Sequence, residues 1–236
     1  VKQGACQRWR GSGGTMKRTR RQPKSRKALA RRDANATRTR ILDTAAKQFA
    51  EHGLSGGRVE AIAATAGVNI RMIYHHFGSK QELYLAVLDN AYLGLREQEL
   101  RLDYSALAPL QGLLRLFEFL HAHFAAHPEL IRLMTGENLL HAAYLKRSTQ
   151  VAIRSSPVIA LIADLLRRGE ANGEIRRGID PLQLYVAMVA LSYFHLSNAH
   201  TLSWIFRSNL LSPRWRAAQA VQAREIIERF VKSAEA

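Results

Sequence analysis

Val59-Glu-Ala-Ile-Ala-Ala-Thr-Ala-Gly-Val-Asn-Ile-Arg-Met-Ile-Tyr-His-His-Phe77 decides how the chain is to be read. Two helical segments, about Val59 to Ala66 and Ile70 to Phe77, flank Gly67, a residue that tolerates the positive φ a tight turn demands. Helices that cross steeply through such a turn need a small residue where they touch, and Ala63 supplies it. Ile62, Ala66, Val68 and Ile73 then fall where both helices share a core with the preceding one. This spacing predicts a helix-turn-helix, whose second helix fits a major groove roughly 12 Å wide. An ordinary αα-hairpin inside a bundle would share the Ala-rich helix and the glycine. Against it stand the shortness of the second helix, its Tyr-His-His-Phe ending and the cationic segment upstream.

Working outward, Ile41, Leu42, Ala45, Ala46 and Phe49 predict a helix from about Arg38 to His52, capped by Thr37 or Thr39 and closed by Gly53. Downstream, Gly78-Ser79-Lys80-Gln81-Glu82 combines a terminator, a Ser N-cap and the Glu of a capping box, opening a helix to about Leu100. Asp103 to Pro109 reads as a linker. Longer apolar helices follow from Leu110 to His127 and from Pro128 to Lys146. Ser156-Pro157, Asp180-Pro181 and Ser212-Pro213 each pair an N-cap with a first-turn proline and predict three more, the first ending at Asn172-Gly173. No sequence repeat or strand-length alternation occurs. The expected fold is all-α: a three-helix N-terminal domain, a connecting helix and a larger C-terminal bundle.

Arg38-x-x-Ile-Leu-x-x-Ala with Phe49 and Gly53, Ile62-Ala63, Ala66-Gly67-Val68, Ile73-Tyr74-His75-His76-Phe77 and Ser79-Lys80 together resemble the N-terminal domain of the tetracycline-repressor (TetR) family. The resemblance is specific over residues 38 to 90; beyond them it covers length, helical content and helix order. It implies a homodimeric transcriptional regulator that binds a double-stranded DNA operator. It also implies a C-terminal bundle, residues 91 to 236, that dimerises through its last two helices and holds a small-molecule effector. Carried over position by position, Asn69, Ile70, Arg71 and Met72 enter the groove, while Arg38, Tyr74, His75 and Lys80 hold backbone phosphates. Arg71 can make a bidentate contact to guanine; the Tyr74 hydroxyl and Lys80 ammonium are positioning groups. Core packing is the competing reading for Tyr74 and, more strongly, for Phe77. The family usually places Thr or Ser before the second helix. Here Gly56-Gly57-Arg58 stands there, with Arg58 within reach of a phosphate instead.

Charge divides the chain sharply. It has 236 residues and a formal charge of +16, yet residues 1 to 40 hold 14 Lys/Arg against the single acid Asp33. Residues 41 to 236 carry 21 basic and 18 acidic groups. A basic arm, residues 1 to 37, expected to be disordered, therefore precedes a near-neutral body, and a polyanion is the partner it suits. Met16 opens the densest basic stretch, and residues 1 to 15 read either as an upstream extension or as an appended remnant. A lone cysteine, Cys6, excludes a disulfide scaffold. The longest apolar run, Leu184 to Leu191, is too short to span a bilayer, and no apolar block follows the basic start as a secretory signal requires. The expected location is the cytoplasm.

In the bundle, polar residues sit on apolar stripes. Phe117 and His121 share one face. Met134, Asn138 and His141 share a second, with Tyr144 near it, and Met188, His195 and Asn198 a third. A buried His or Asn is costly without a partner, so these nine residues, converging, would suit a polar or aromatic effector. Each alone is more often a satisfied core residue, and His195 and Asn198 suit a dimer interface equally. His123 and His127 have helical metal spacing but no accompanying carboxylate or cysteine, so no metal or other cofactor is expected. No phosphate loop, His-Glu-x-x-His or nucleophile elbow occurs, and an enzyme is not expected. A nonspecific architectural DNA-binding protein driven by the arm, and a His-rich metal-dependent helical enzyme, are the alternatives.

Overall fold

Gly67 adopts φ 62° and ψ 41°, the left-handed conformation expected of it. Its N–H and that of Val68 close on the carbonyls of Ala64 (3.2 Å) and Ala63 (3.0 Å), which ends one helix within a single residue and starts the next. The computed structural model describes residues 26–233 except Asp103 and Ser105. These fall into two units, 1–36 and 37–236. In the first, the residues from Arg26 are helical. Residues 1 to 25, with Cys6 and most of the basic arm, lie outside the described residues.

Ten α-helices occur among the described residues: α1 (Arg26–Gly56), α2 (Val59–Ala66), α3 (Ile70–Phe77), α4 (Lys80–Arg101), α5 (Pro109–Ala126), α6 (Pro128–Leu139), α7 (Val151–Ala171), α8 (Pro181–Ser197), α9 (Ala199–Ile205) and α10 (Pro213–Val231). The capping logic holds at several starts. Ser79, Asp180 and Ser212 accept the N–H groups of Glu82 (3.1 Å), Gln183 (2.7 Å) and Trp215 (3.3 Å). The regular part of α1 ends at Gly53 (φ 67°), as its sequence predicts.

Four boundaries differ from the sequence expectation. Helix α1 begins at Arg26 and not at Arg38, because Arg26 to Ala36 is rich in Ala, Arg and Lys and contains no breaker. Helix α6 stops at Leu139 instead of reaching Lys146. His141 (φ 53°) and Ala142 (φ 58°) turn left-handed, and the Glu137 carboxylate accepts the N–H groups of Tyr144 (2.7 Å) and Leu145 (2.8 Å). A single 3-10 turn, Leu145–Arg147, follows. Helix α7 begins at Val151, six residues before Pro157; Ser148 accepts the Val151 N–H at 3.2 Å, and Ser156 is not the cap. Pro157 is tolerated because the carbonyl it leaves unbonded belongs to exposed Ile153. Helix α8 ends at Ser197 instead of running, as its sequence predicts, about 20 residues from Pro181 with an apolar stripe reaching Leu202; the Asn198 amide donates to the Phe194 carbonyl (3.0 Å), and Leu202 belongs to α9.

Two cores result. The first joins Ile41, Ala45 and Phe49 of α1, Ile62 and Ala66 of α2, Ile73 and Phe77 of α3, and Leu83 and Val87 of α4, with Leu133 of α6. The second surrounds α5, whose Leu113, Leu116, Phe117 and Leu120 are essentially inaccessible, and is completed by α7, α8 and α10.

Gly57 explains the departure at Gly56-Gly57-Arg58. A Cβ there would stand 2.6 Å from Cδ1 and 2.8 Å from Cε1 of the buried Phe49 ring. Gly57→Ala should therefore destabilise the fold by about 1–3 kcal/mol in urea unfolding. Gly94→Ala, a helix-interior site where a Cβ meets nothing within 4 Å, should change stability in the opposite direction by about 0.5–1 kcal/mol.

Candidate functional site

Helix α3 is amphipathic over only two turns. Ile73 and Phe77, four apart, are buried at 1% and 8% exposure, while Asn69, Arg71, Met72, Tyr74 and His75 face solvent. The apolar pair fixes α3 against α1 and α2 and turns the remaining side chains outward together. Asn69 is the N-cap, its side-chain oxygen accepting the Arg71 N–H at 2.9 Å. Ile70, half-buried, roots the first turn. Of the competing readings, core packing applies to Phe77 and not to Tyr74, which is 46% exposed.

The predicted phosphate-contacting residues lie around this helix. The Arg38 guanidinium sits 5.0 Å from the centroid of the Phe77 ring, which places it at the C-terminal end of α3. Lys80 donates from Nζ to the Ser55 carbonyl at 3.1 Å, tying α4 to the end of α1. Arg58 occupies the extended residue before α2, exposed and without a capping bond.

The nine residues expected to converge on an effector separate instead into several surroundings. His121 and His195 stack with centroids 5.4 Å apart, flanked by Phe117 (5.9 Å) and Trp215 (5.7 Å). Met188 is in the core; Met134 packs at its edge. Asn138 is exposed and bonds the Met134 carbonyl at 3.0 Å, and Asn198 caps α8. His141 and Tyr144 lie beyond the end of α6. Burial lowers the His195 imidazole to about 4, with neighbouring His121 adding to the effect; burial lowers His121 too, Arg216 assisting. His123, lowered to about 4 by burial and by its neighbour, stacks on His127 at 4.0 Å. No cluster of three metal-ligating side chains occurs among the described residues.

A cavity of about 970 Å³ opens elsewhere, between the end of α1 and the bundle. The DNA-domain wall comprises Phe49, His52, Gly53, Ser55 and Tyr84; the bundle supplies Phe124, Arg132, Thr135, Leu140, Tyr144, His200 and Arg216 among others. Tyr84 stands edge-on between Phe49 (5.2 Å, 84°) and Tyr144 (5.3 Å, 89°). Of the nine expected effector residues only Tyr144 lines it. Arg132, Arg216 and the α1 segment carried no sequence signal, because they meet only through the tertiary fold.

The family model described as bacterial regulatory proteins, tetR family, matches residues 41–87, and that described as tetracyclin repressor-like, C-terminal domain, matches residues 109–227. The chain belongs to the TetR family. The transcriptional repressor NicS of Pseudomonas putida is 33% identical over 184 residues, 78% of this chain and 87% of that protein. A TetR family regulator from Marinobacter aquaeolei has the same fold, with a TM-score of 0.65 and 20% identity over 86% of this chain and 99% of its own. The ketosteroid regulator KstR2 of Mycobacterium tuberculosis gives 0.60 at 21% identity over 84% and 96%. TetR proteins are DNA-binding transcriptional regulators that respond to effector ligands, not enzymes. Among the described residues no helix is long and apolar enough to cross a membrane.

The cap of α3 and the buried imidazoles can both be tested by unfolding. Asn69→Ala should cost about 0.5–2 kcal/mol of stability, and Asn69→Asp or Asn69→Ser should restore it, as read by thermal unfolding. His123 and His195 are held neutral, below their ordinary value of 6.5, so the stability they contribute is complete above that pH. It should drain away as pH falls from 6.5 towards about 4, and His195→Phe should flatten that decline in urea midpoints.

Proposed function

We propose that this TetR-family regulator is a repressor that leaves a palindromic operator when a small-molecule effector binds. The observation that carries it is the two-sided α3, which buries Ile73 and Phe77 and offers Arg71, Met72, Tyr74 and His75 to a groove. In this reading Asn69, Ile70, Arg71 and Met72 meet base edges, with Arg71 the main discriminator and the apolar pair favouring thymine methyls. Arg38, Arg58, Tyr74, His75 and Lys80 set the register on phosphates.

Two copies pair through α8 and α10. Leu182, Val186 and Phe194 on the first, and Val221, Ile226 and Phe230 on the second, are 46–70% exposed. Large apolar groups clustered on two adjacent helices suit a partner surface better than water. Paired recognition helices then require half-sites roughly 34–36 Å apart or a multiple of it. Val186→Glu should yield monomers in analytical ultracentrifugation and weaken operator binding.

Selection from random duplexes followed by footprinting tests the reading. A palindromic site should emerge, and Arg71→Ala should lose about 1–3 kcal/mol of discrimination at one position of each half-site. Deleting residues 1–25, which hold eight Lys/Arg and no acid, should weaken all sequences alike and flatten the salt dependence by about 0.9 for each phosphate no longer neutralised. A footprint without palindromic preference, together with binding abolished by the arm deletion and unmoved by Arg71→Ala, would instead favour the architectural alternative.

A further inference from the structure

We infer that the cavity between the end of α1 and the bundle binds an organic anion, a carboxylate on an apolar body, and that this class supplies the effector. The inference rests on the effector-responsive reading above and specifies its ligand. Phe49, Tyr84, Phe124 and Tyr144 give the cavity an aromatic interior, while Arg132, Arg216, His52 and His200 line it and, among the described residues, no Asp or Glu does. That absence is not a by-product of a basic body, since residues 41–236 carry 18 acids against 21 basic groups. Three acids adjoin lining residues in sequence without lining the cavity themselves: Glu51, whose carboxylate stands 3.9 Å from Nε2 of His52, Glu129 beside Pro128, and Glu137 beside Gly136, one of whose carboxylate oxygens accepts the N–H groups of Tyr144 and Leu145.

The arginines set this cavity apart. Arg96, Arg147, Arg154 and Arg224 are each paired with a carboxylate. Arg132 and Arg216 have no carboxylate partner among the described residues, and Arg216 donates to the Ala125 carbonyl at 3.4 Å. A guanidinium left with free donors beside aromatic walls matches a carboxylate fork, and ionised hydrogen bonds are the strong ones. A cationic ligand would meet like charge, and a neutral one would leave both arginines without a counter-ion.

The site also touches the DNA-reading domain directly. Phe49 to Ser55 and Tyr84 form one wall, and the Ser55 carbonyl is the acceptor for Lys80. An occupant therefore bears on the segment from which α2 departs.

Calorimetric titration of the full chain with 2-naphthoate, 2-naphthamide and 2-naphthylmethylamine compares one body in three charge states. The carboxylate should bind about tenfold or more tighter than the amide, and the amine weakest. Arg132→Gln and Arg216→Gln should each erase most of that preference and leave amide binding unchanged. Arg132 is exposed, so its variant retains the fold, and the wild-type comparison requires no variant. Equal binding of amide and carboxylate, carboxylate affinity unmoved in both variants, or failure of 2-naphthoate to bind overturns the inference. Operator release, followed by fluorescence anisotropy of labelled DNA, separates the two readings. An Arg132-dependent carboxylate that binds without releasing DNA upholds the anion site and sinks the effector reading. Release by the amide as readily as by the carboxylate does the converse.

Discussion

Helix α4 belongs to both cores, and a buried ion pair fixes how it sits. Leu83, Tyr84, Val87 and Leu88 pack into the DNA-reading domain and Leu95 into the bundle. One residue on, the Arg96 guanidinium meets the Glu99 carboxylate at 2.6 Å, with both side chains almost inaccessible. Tyr185 of α8 donates to the same carboxylate at 3.0 Å and lies 5.1 Å beneath the Arg96 guanidinium; Tyr104 donates to the Glu99 carbonyl at 3.0 Å. Burial raises the Glu99 carboxyl, with Arg96 and the Tyr185 hydroxyl pulling it back, and burial holds Tyr104 at about 12, so its hydroxyl stays a donor. Taking the pair out of water costs several kcal/mol per ion, repaid only in this one geometry. Sliding α4 against α8 would keep that pair together but remove the Tyr185 hydroxyl and ring that help satisfy it.

That constraint gives meaning to the uneven charge. The DNA-reading domain is not itself basic: residues 41–90 carry four Lys/Arg against five acids. Screening limits the attraction of exposed charges to about 8–10 Å at ordinary ionic strength, so in the proposed reading a run of Lys and Arg adds attraction to DNA without register. That reading leaves register to the few side chains that α3 displays, whose placement depends on Ile73 and Phe77 sharing a core with Phe49. In the proposed reading the high formal charge of the chain serves affinity, and discrimination falls to the nearly neutral surface around Arg71.

Features governed by local chemistry were legible in the sequence. Gly67 had to be left-handed, Ser79, Asp180 and Ser212 had to cap, and the i, i+4 spacing of Ile73 and Phe77 chose the inner face of α3. Family and fold followed from such signals, as did the exposure of the α3 residues Arg71, Met72, Tyr74 and His75. Where a distant or unforeseen group intervened, the local signal misled. Ser156-Pro157 looks like a helix start, but the helix already begins at Val151, whose N–H Ser148 accepts, and runs through an exposed proline. Nothing at positions 140–142 announces a stop; Glu137 imposes it by bonding Tyr144 and Leu145. His121 and His195, polar residues on apolar stripes, stack on each other between Phe117 and Trp215. The cavity was the least legible feature, because Phe49, Tyr84 and Tyr144 are far apart in sequence and become a continuous aromatic wall only when α1, α4 and the end of α6 are brought together.

The position of that cavity matters more than its volume. A ligand shifts a conformational equilibrium only by the difference in its affinity for the two states, and inverting a 1:99 population takes about 5.5 kcal/mol of such difference. Contacts confined to α5, α7 and α8 would be nearly the same in every orientation of the reading domain, since those helices form one packed core. Contacts to Phe49 and Tyr84 are different in kind, because those residues share a core with α2 and α3, whereas Arg216 lies on α10 of the bundle and Arg132 on α6, whose Leu133 reaches into that first core. An anion held at its charged end by the arginines and at its apolar end by the aromatic wall spans the seam itself. Its binding energy then depends directly on the angle between the domains, the quantity that also sets the spacing of two recognition helices on an operator.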